Sequence, residues 1–323
     1  MQPRDDNMAL NYISFEDIQK VLNFKNLIPC MESALAKFSN KTAVQPVRAV
    51  ARIKDKNGFL AAMPAVSPED GAIATKVLTF FPENKNCPTH HAIIIVFNPE
   101  TGIPEVLMDG DVITTMRTAA VSAVATKYLC TPHPRILAIL GAGVQGESHY
   151  HALTSTFEFT QVRIWSRTTE NSRKLAEKVG AITCQTAEEA VCDADVIVTA
   201  TSAQTPILKS NWVKPGVHIN AVGACCPDWQ EIEPELMRSS VVYTDSREAA
   251  LRESGDVVIS QAAIFAELGE VVIGQKEAQR TKTTIFKSLG MAIEDVLSAR
   301  LVCDLLAKAD DQVKVPVQDR TQS

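Results

Sequence analysis

Apolar and polar positions divide the chain into two parts with different periodicities. In the first part, residues 13–38 carry apolar side chains at helical spacing and predict two helices, with Ser14 as the N-cap of the first. A long helix is predicted at 114–129, stopped by Pro132 and Pro134. Between them lie apolar segments separated by turn residues, which predict strands and a final hairpin at 47–55, 58–66, 71–81 and 91–110. The first part is therefore expected to be a sheet with helices at its edge.

From residue 134 onward, short apolar runs alternate with helical segments. Repeated βα units of this kind predict a doubly wound parallel sheet, so the fold class is α/β: a Rossmann-type sheet plus a smaller α+β substrate and dimerisation domain. The predicted strands are 135–140, 161–166, 195–202, 216–224 and 240–246, and the predicted helices include 169–180, closed by Gly180, and 187–194.

The last helical stretch, residues 287–307, is apolar on one face and is expected to return to the first domain. The predicted domains are then 1–118 with 290–323 for substrate and 119–289 for a dinucleotide. The polar tail after Lys308 is expected to be disordered.

A glycine-rich turn follows the apolar run 136–140. Gly141, Gly143 and Gly146 have G-x-G-x-x-G spacing, and helix-compatible residues come next. Between a strand and a helix this spacing is typical of a dinucleotide site, where the glycines allow a sharp turn, close approach of a pyrophosphate and close helix–strand packing. The alternative is a plain strand–turn–helix without a ligand.

The end of the next strand indicates which dinucleotide would bind. An Asp or Glu about 20 residues past the turn would bond the ribose of NAD. Here Ser166, Arg167 and Thr168 stand at that position, and an arginine with neighbouring hydroxyls suits a 2′-phosphate. The residues therefore predict NADP(H), although Arg167 could instead be a surface residue and Glu170 could still reach a ribose.

Composition and charge exclude several classes of protein. The 323 residues are 46% hydrophobic and 22% charged with a net charge of −6, which is sufficient for two globular domains. No basic cluster suggests nucleic acid, no apolar run is long enough to span a membrane, and the N-terminal segment lacks the apolar region of a secretory signal. Eight scattered cysteines form no C-x-x-C pair, which favours reduced thiols in a cytoplasmic protein over a zinc site or a disulfide scaffold.

Three cations interrupt apolar segments of the first part. Arg48, Lys76 and Arg117 lie where core residues would be expected, and such side chains are seldom buried unless paired. Either they form a pocket for a small anionic substrate, or they extend to solvent.

At this point the sequence resembles a known family over nearly its whole length. The segments "MPA", "TKVLTFFPEN", "MDGDVITTMRTAAVSAVATKYL" and "LGAGVQGESHYHAL" resemble the ornithine cyclodeaminase/mu-crystallin family. The segments "VRIWSRT", "WVKPGVHINAVGA", "CPDWQEI" and "FKSLGMAIEDV" are most similar to its mu-crystallin, ketimine reductase branch. The resemblance implies a Rossmann domain and a substrate domain that dimerises through its sheet.

The resemblance also implies roles for individual residues. Arg48 and Arg117 would hold the substrate carboxylate, with Arg117 also near the cofactor, and Lys76 would polarise or protonate the reacting group. The implied cofactor residues are Gly141, Ala142, Gly143, Val144 and Gln145 for the pyrophosphate, Ser166, Arg167 and Thr168 for the 2′-phosphate, Thr89 and His90 at the nicotinamide, and Val222, Lys287 and Ser288 closing the cleft. His91, and alternatively His90, would be an ordinary histidine.

One turn departs from the cyclodeaminase pattern. Family cyclodeaminases carry an Asp and a Lys just past the fifth strand, where this chain has Cys225 and Trp229, with Asp228 offset. Neither a neutral thiol nor an indole readily supplies the base that ammonia loss requires. Cys225 is expected to line the substrate pocket, and Cys226 could make the turn sensitive to redox conditions.

Together these expectations predict an NADPH-dependent reductase of cyclic ketimines, acting on a small anionic cyclic imine as a homodimer, without a metal, nucleic acid or membrane partner. Three alternatives remain open at this point: a cyclodeaminase-type lyase with bound NAD, an NADPH-dependent protein that binds a thyroid-hormone-type small molecule, and an amino-acid dehydrogenase acting in the oxidative direction.

Overall fold

The computed structural model describes residues 10–313, which form two sheets. The first sheet has the strand order β1-β6-β5-β4-β3-β2, antiparallel except for the parallel β1–β6 pair. Its strands are β1 Asn11–Ile13, β2 Ala49–Ile53, β3 Gly58–Ser67, β4 Ala72–Phe80, β5 His90–Phe97 and β6 Pro104–Asp109. The predicted hairpin is the β5–β6 pair, whereas β1 was not predicted: it has only three residues, and Ile13 was included in the predicted first helix.

Three helices of the first part begin at side-chain caps. They are α1 Phe15–Val21, α2 Phe24–Ser39 and α3 Gly110–Leu129. Ser14 caps α1 as predicted, accepting a hydrogen bond from the Asp17 amide at 3.2 Å. Helix α3 begins four residues before the predicted start, because Asp109 accepts hydrogen bonds from the amides of Asp111 and Val112 and turns the chain directly from strand into helix.

The second sheet is parallel throughout, with the order β13-β12-β14-β11-β10-β7-β8-β9. Its strands are β7 Ile136–Leu140, β8 Gln161–Trp165, β9 Ile182–Thr183, β10 Val196–Thr199, β11 His218–Ala221, β12 Val241–Thr244, β13 Ile264–Glu267 and β14 Thr284–Lys287. Its helices are α4 Val144–Thr154, α5 Thr169–Val179, α6 Ala187–Val191, α7 Pro234–Ser239, α8 Arg247–Glu253, α9 Gly255–Ser260 and α10 Leu268–Val272.

Both faces of this second sheet are buried. Along β7, Ala138 and Leu140 belong to one apolar cluster, while Leu137 and Ile139 belong to another on the opposite face. The predicted fold class, an α/β Rossmann-type parallel sheet with a second α+β part, is confirmed.

The C-terminal segment corrects one predicted helix. The stretch from Lys287 does not start as helix: Lys287 ends β14, and α11 runs only from Ala292 to Val313. The break is Gly290, whose φ of +78° is unfavourable for other residues. Helix α11 packs on β3, β4 and α2 of the first part. It extends past Lys308, where disorder was expected, and the rest of that expected disordered tail lies outside the described residues, as does most of the N-terminal segment.

Within residues 10–313, no helix is long and apolar enough to cross a bilayer. The described residues also contain no cluster of three or more His, Cys, Asp or Glu side chains able to hold a metal ion.

Candidate active site

The glycine turn lies between β7 and α4, and each glycine has a different steric role. Gly141 has φ +125°, and a Cβ there would lie 2.3 Å from the Ala200 carbonyl oxygen. A Cβ on Gly146 would lie 2.0 Å from the Gly141 carbonyl oxygen. Around Gly143, by contrast, an added Cβ would meet no atom of the described residues within 4 Å. The first and third glycines are thus required by packing, while the second borders open space at the N-terminus of an 11-residue helix.

Two buried polar atoms at the carboxyl ends of strands β7 and β14, which belong to the same parallel sheet, lack a protein partner. Gln145 Oε1, next to the turn, and Ser288 Oγ, just past β14, make no hydrogen bond to the described residues. Buried polar atoms are normally paired, so each such atom requires a partner. An open glycine turn, with unpaired polar groups at the same edge of the sheet, fits a dinucleotide. Ala142 and Val144, which are also predicted at the pyrophosphate, lie in this turn. Ala142 is half-buried and Val144 is exposed.

The end of β8 carries the residues expected at a 2′-phosphate. Arg167 and Thr168 are exposed, and Ser166 donates a hydrogen bond to the Thr168 carbonyl at 2.7 Å. Arg167 makes no hydrogen bond or ion pair to any residue that the structure describes. Glu170, the possible ribose ligand, is paired with the Arg173 guanidinium at 2.8 and 2.9 Å, so the nearest carboxylate is already engaged.

On the substrate side, two of the three predicted cations share one carboxylate. Lys76 on β4 and Arg117 on α3 are both buried. The Lys76 ammonium lies 2.7 Å from Asp295 Oδ2 and Arg117 Nε lies 3.0 Å from Asp295 Oδ1. Arg117 Nη1 also contacts Glu294 at 2.9 Å, and Lys76 donates a hydrogen bond to the Thr114 hydroxyl at 3.3 Å. Both cations are buried because these carboxylates pair with them.

Burial and the neighbouring charges shift the pKa values of this cluster in opposite directions. Burial lowers the pKa of Lys76 to about 8, with Arg117 contributing and Asp295 opposing. Burial raises the pKa of Glu294 to about 7, although Arg117 acts against it. Burial would also raise the pKa of Asp295, but Arg117 and Lys76 outweigh it and the pKa is lowered. Asp295 is therefore the fixed anion, and Lys76 can exchange a proton near neutral pH.

Arg48 is connected to this cluster by the backbone turn at Gly290, which both arginines contact. Its Nη2 donates to the carbonyls of Leu289 and Gly290 at 2.8 and 2.9 Å, and its Nε pairs with Glu253 at 3.0 Å. The Arg117 guanidinium packs against Gly290, where a Cβ would lie 2.3 Å from Nη1. One backbone turn thus positions both arginines.

Both arginines retain donors for a ligand. Nη1 of Arg48 and Nη2 of Arg117 make no hydrogen bond within the part of the chain that the structure describes. Because guanidinium groups bind carboxylates through pairs of N–H donors, these two nitrogens fit a small carboxylate.

The histidine expected at the nicotinamide begins β5. His90 Nδ1 lies 2.8 Å from Asp111 Oδ1 at the start of α3, and the side chain is half-buried. Thr89 is exposed, and its carbonyl accepts the Phe81 amide at 2.8 Å. His90 pairs with Phe80 at the end of β4.

The turn after β11 holds the residues that depart from the cyclodeaminase pattern. Cys225 is exposed, while Trp229 is buried against the Phe80 ring at a centroid distance of 6.3 Å. Trp229 thus joins the two parts of the molecule by packing. Val222, which was expected to close the cleft, is half-buried and donates its amide to the Thr199 carbonyl at 2.8 Å.

Lys287, which was expected to help close the cleft, is the last residue of β14. It is fully buried, and its ammonium pairs with Asp256 at 3.1 Å and donates to the Gly223 carbonyl. The cation therefore fixes the backbone after β11, whereas the neighbouring Ser288 hydroxyl is the group left without a partner.

Several acids of the site were missed in the sequence. Glu294 and Asp295 lie in the segment "FKSLGMAIEDV", whose apolar spacing predicts only a helix. Glu231 accepts hydrogen bonds from the Thr199 hydroxyl at 2.8 Å and from the Thr201 amide at 2.6 Å, and burial raises its pKa to about 7. The available signal was the adjacent acidic pair within an otherwise apolar helix face, since acids are rarely buried without a cation.

A family model described as "Ornithine cyclodeaminase/mu-crystallin family" matches residues 10–310. The chain is 52% identical over 301 residues to the ketimine reductase mu-crystallin of Mus musculus, covering 91% of this chain and 96% of that protein.

Two solved structures share the fold over almost the whole chain. The Delta(1)-pyrroline-2-carboxylate reductase of Thermococcus litoralis, in complex with NADH and L-proline, has 34% identity and a TM-score of 0.89, covering 93% of this chain and 98% of that one. An archaeal alanine dehydrogenase dimer with bound NAD has 30% identity and a TM-score of 0.87, covering 93% and 97%.

Proposed function

The chain belongs to the ornithine cyclodeaminase/mu-crystallin family, and we propose that it is an NADPH-dependent reductase of cyclic ketimines such as piperideine-2-carboxylate, pyrroline-2-carboxylate or their sulfur analogues. The relatives that reduce ketimines or pyrroline-2-carboxylate support this assignment. In the structure, the observation that carries it is the buried Lys76–Asp295–Arg117 cluster with Arg48 beside it. Free guanidinium donors next to an exchangeable ammonium suit an imino acid.

The cofactor would lie across the glycine turn. When bound, a nicotinamide dinucleotide supplies the hydride for the C=N carbon. Gly141 to Gln145 would hold its pyrophosphate, and Ser288, just past β14, would help to close the cleft around the cofactor. The fit rests on the open space at Gly143 and on the unpaired Gln145 and Ser288 atoms.

NADPH is proposed over NADH because of the end of β8. The exposed Arg167, with Ser166 and Thr168 beside it, would bind a 2′-phosphate through a guanidinium and hydroxyl groups. Glu170, which would repel that phosphate, is neutralised by Arg173.

The protein would orient the substrate and move one proton. Nη1 of Arg48 and Nη2 of Arg117 would bind the carboxylate and fix the orientation of the ring. Lys76 would then keep the ring nitrogen protonated or donate to it, since a donor with a pKa of about 8 is protonated at neutral pH and still gives up its proton. Asp295 would hold the ammonium in place.

A lyase reaction is not favoured, because the turn that carries its acid in family cyclodeaminases contains Cys225 and a buried Trp229. No acid stands at the family position to activate water.

The active form is proposed to be a homodimer in the cytoplasm. The related archaeal dehydrogenase is a dimer, and the first sheet leaves apolar side chains such as Val50, Leu60 and Ile93 exposed. All eight cysteines lie among the described residues and are free, as in a reducing compartment. Light scattering of the purified protein tests the dimer.

The deciding experiment follows NADPH oxidation with Δ1-piperideine-2-carboxylate beside an ammonia assay with L-ornithine. Substrate-dependent NADPH loss without ammonia is the expected result. Ammonia from ornithine without net cofactor consumption would make the chain a lyase. NADPH binding without turnover of either compound would instead support a small-molecule binding protein.

A further inference from the structure

The short turn between β14 and α11 joins the two parts of the molecule beside the proposed substrate site. Its carbonyls at Leu289 and Gly290 accept hydrogen bonds from Arg48 Nη2 at 2.8 and 2.9 Å. The Arg117 guanidinium packs against Gly290. Any group that fixes this turn therefore also fixes the two arginines proposed to bind the substrate carboxylate.

One side chain holds the opposite edge of the turn. Asp245 Oδ2 accepts the amide of Leu289 at 2.6 Å and the amide of Gly290 at 2.7 Å. Successive amides that point the same way in a turn form a concave site for an anion. The turn thus lies between a carboxylate on its amide edge and a guanidinium on its carbonyl edge.

Asp245 reaches the turn because β12 and β14 are neighbouring parallel strands. Thr244, the last residue of β12, pairs with Lys287, the last residue of β14, so Asp245 leaves the sheet beside the turn. Its Oδ1 accepts the amide of Ser246, the N-cap residue of α8, at 2.7 Å.

Helix α8 carries the second anchor of Arg48. It ends at Glu253, whose carboxylate lies 3.0 Å from Arg48 Nε. The Asp245 carboxylate therefore fixes both the turn that binds Arg48 and the start of the helix that binds it.

This position requires a carboxylate rather than an amide. Asp245 is fully buried and forms no ion pair with the residues that the structure describes. A buried carboxylate is costly unless hydrogen bonds replace its water, and here both oxygens accept from N–H donors. Asparagine has the same shape but only one acceptor oxygen, so it would leave either the Ser246 amide or the amides of the turn without an acceptor.

We propose that Asp245 is a positioning residue for substrate binding, which orients Arg48 and Arg117 through the turn at Leu289 and Gly290. This inference rests on the proposed function, in which the two arginines bind the carboxylate of the cyclic imine. Asp245 itself would touch neither substrate nor cofactor. Its loss should weaken binding of the carboxylate more than binding of the dinucleotide or hydride transfer.

The opposite end of the parallel sheet provides a matched control. Asp195 Oδ2 accepts the amides of two successive residues, Arg135 at 2.7 Å and Ile136 at 2.9 Å, just before β7. Asp195→Asn therefore alters the same kind of contact at the edge of the sheet away from the arginines. It should lower thermal stability without changing substrate binding.

Calorimetry with L-proline tests the proposal without turnover. L-proline is the compound in the related Thermococcus litoralis structure, and with NADPH present both compounds are already reduced, so no hydride is transferred. Asp245→Asn should weaken L-proline binding by about tenfold, whereas NADPH binding should stay within about twofold of the wild type. With Δ1-pyrroline-2-carboxylate as substrate, KM should rise by about the same tenfold factor while kcat changes little.

A double variant shows whether Asp245 acts through Arg48. In the Arg48→Ala background, Asp245→Asn should lower kcat/KM much less than it does in the wild type, because residues that act through one contact are not additive. A general loss of structure would instead lower kcat/KM by the same factor in both backgrounds. If Asp245→Asn does not fold, Asp245→Ser replaces it, since the shorter side chain leaves room for a water molecule at the same amides.

The possible results separate this inference from the proposed function. Unchanged L-proline affinity in the folded variant would overturn the role of Asp245, and so would equal losses of L-proline and NADPH binding. A wild type that neither binds L-proline nor reduces the imine would overturn the proposed function, and this inference with it. A wild type that does both, beside a variant with unchanged KM, would overturn the inference alone.

Discussion

The glycine turn and the buried charge cluster serve the two halves of the proposed reaction by opposite physical means. The turn at Gly143 is built from backbone and open space, with an exposed Arg167 whose guanidinium has no partner among the described residues. The cluster of Lys76, Arg117 and Asp295 is built from buried side chains that are paired with one another, although Arg117 keeps one donor nitrogen for a ligand. A ligand can enter the first without rearrangement, whereas the second must hold three charges in balance before any ligand arrives.

This difference predicts which properties of the protein should change when residues of each region are substituted. Changes at the turn should affect binding or packing separately, because each glycine has one steric role. Changes in the cluster should affect chemistry and proton affinity together, because every charged group there sets the pKa of the others.

The largest effect is expected from Lys76→Ala. Removing the proposed proton donor should lower kcat by about 10²- to 10⁴-fold, the usual contribution of general acid catalysis. The affinity for NADPH, measured by the quenching of tryptophan fluorescence on titration with the cofactor, should stay unchanged, because the substitution does not alter the glycine turn. Exposed Lys20→Ala is the matched control, and a kcat equal to that of the control would remove Lys76 from the chemistry.

A pair of glycine variants should separate packing from binding at the turn. Gly146→Ala places a methyl group 2.0 Å from the Gly141 oxygen and should lower the free energy of unfolding by about 1–3 kcal/mol. Gly143→Ala meets no atom of the described protein, so its thermal stability should stay near that of the wild type. Its NADPH affinity should fall by about ten- to a hundredfold, because the methyl group occupies the space proposed for the pyrophosphate.

Equal melting temperatures for the two variants would contradict the different packing roles of these glycines. Unchanged NADPH affinity of Gly143→Ala would place the pyrophosphate elsewhere. Calorimetry and fluorescence titration measure the two quantities independently.

The turn could be predicted from the sequence because its determinants are local. The strand 136–140, the three glycines and the helix after them lie within 20 consecutive residues. Glycine is required at Gly141 by its φ of +125° and at Gly146 by the closeness of the Gly141 carbonyl. Parallel pairing of the alternating strands followed from the same short-range pattern.

The cluster could be predicted only in part because its contacts are distant in sequence. Arg117 and Asp295 are separated by 178 positions, and the acids that neutralise the cations lie in a helix whose apolar pattern alone suggested core packing. The cations were noticeable because they interrupted apolar segments, but nothing local identified their partners. The predicted start of the last helix at Lys287 is wrong for a related reason. Apolar residues keep a helical spacing from Lys287 onward, although the structure has the end of a strand and the Gly290 turn there.

Arg167→Ala should alter cofactor choice without altering chemistry. Loss of the guanidinium should raise the KM for NADPH by about ten- to a hundredfold, since a hydrogen bond to a charged group contributes about 1.5–3 kcal/mol. The KM for NADH, which has no 2′-phosphate, should change little. Exposed Arg252→Ala serves as the control, and equal effects of Arg167→Ala on both cofactors would contradict the 2′-phosphate assignment.

The smallest expected effect is a graded pH dependence, and it tests the charge balance of the cluster directly. Burial lowers the pKa of Lys76 to about 8, and only the ammonium form donates a proton. The value of kcat/KM should therefore be level below this pKa and fall by about tenfold per pH unit above it.

Asp295→Asn should move this descending limb to lower pH, because the Asp295 carboxylate raises the pKa of Lys76 against the effect of burial. The substrate and its own ionisation are the same in both enzymes, so the shift between the two profiles isolates the enzyme group. Simple loss of structure would lower the whole profile without moving its midpoint. If the midpoint of the profile does not move in the folded variant, the titrating group is not the Lys76 ammonium held by Asp295. The charge cluster would then act only by positioning the substrate, as the glycine turn acts by positioning the cofactor.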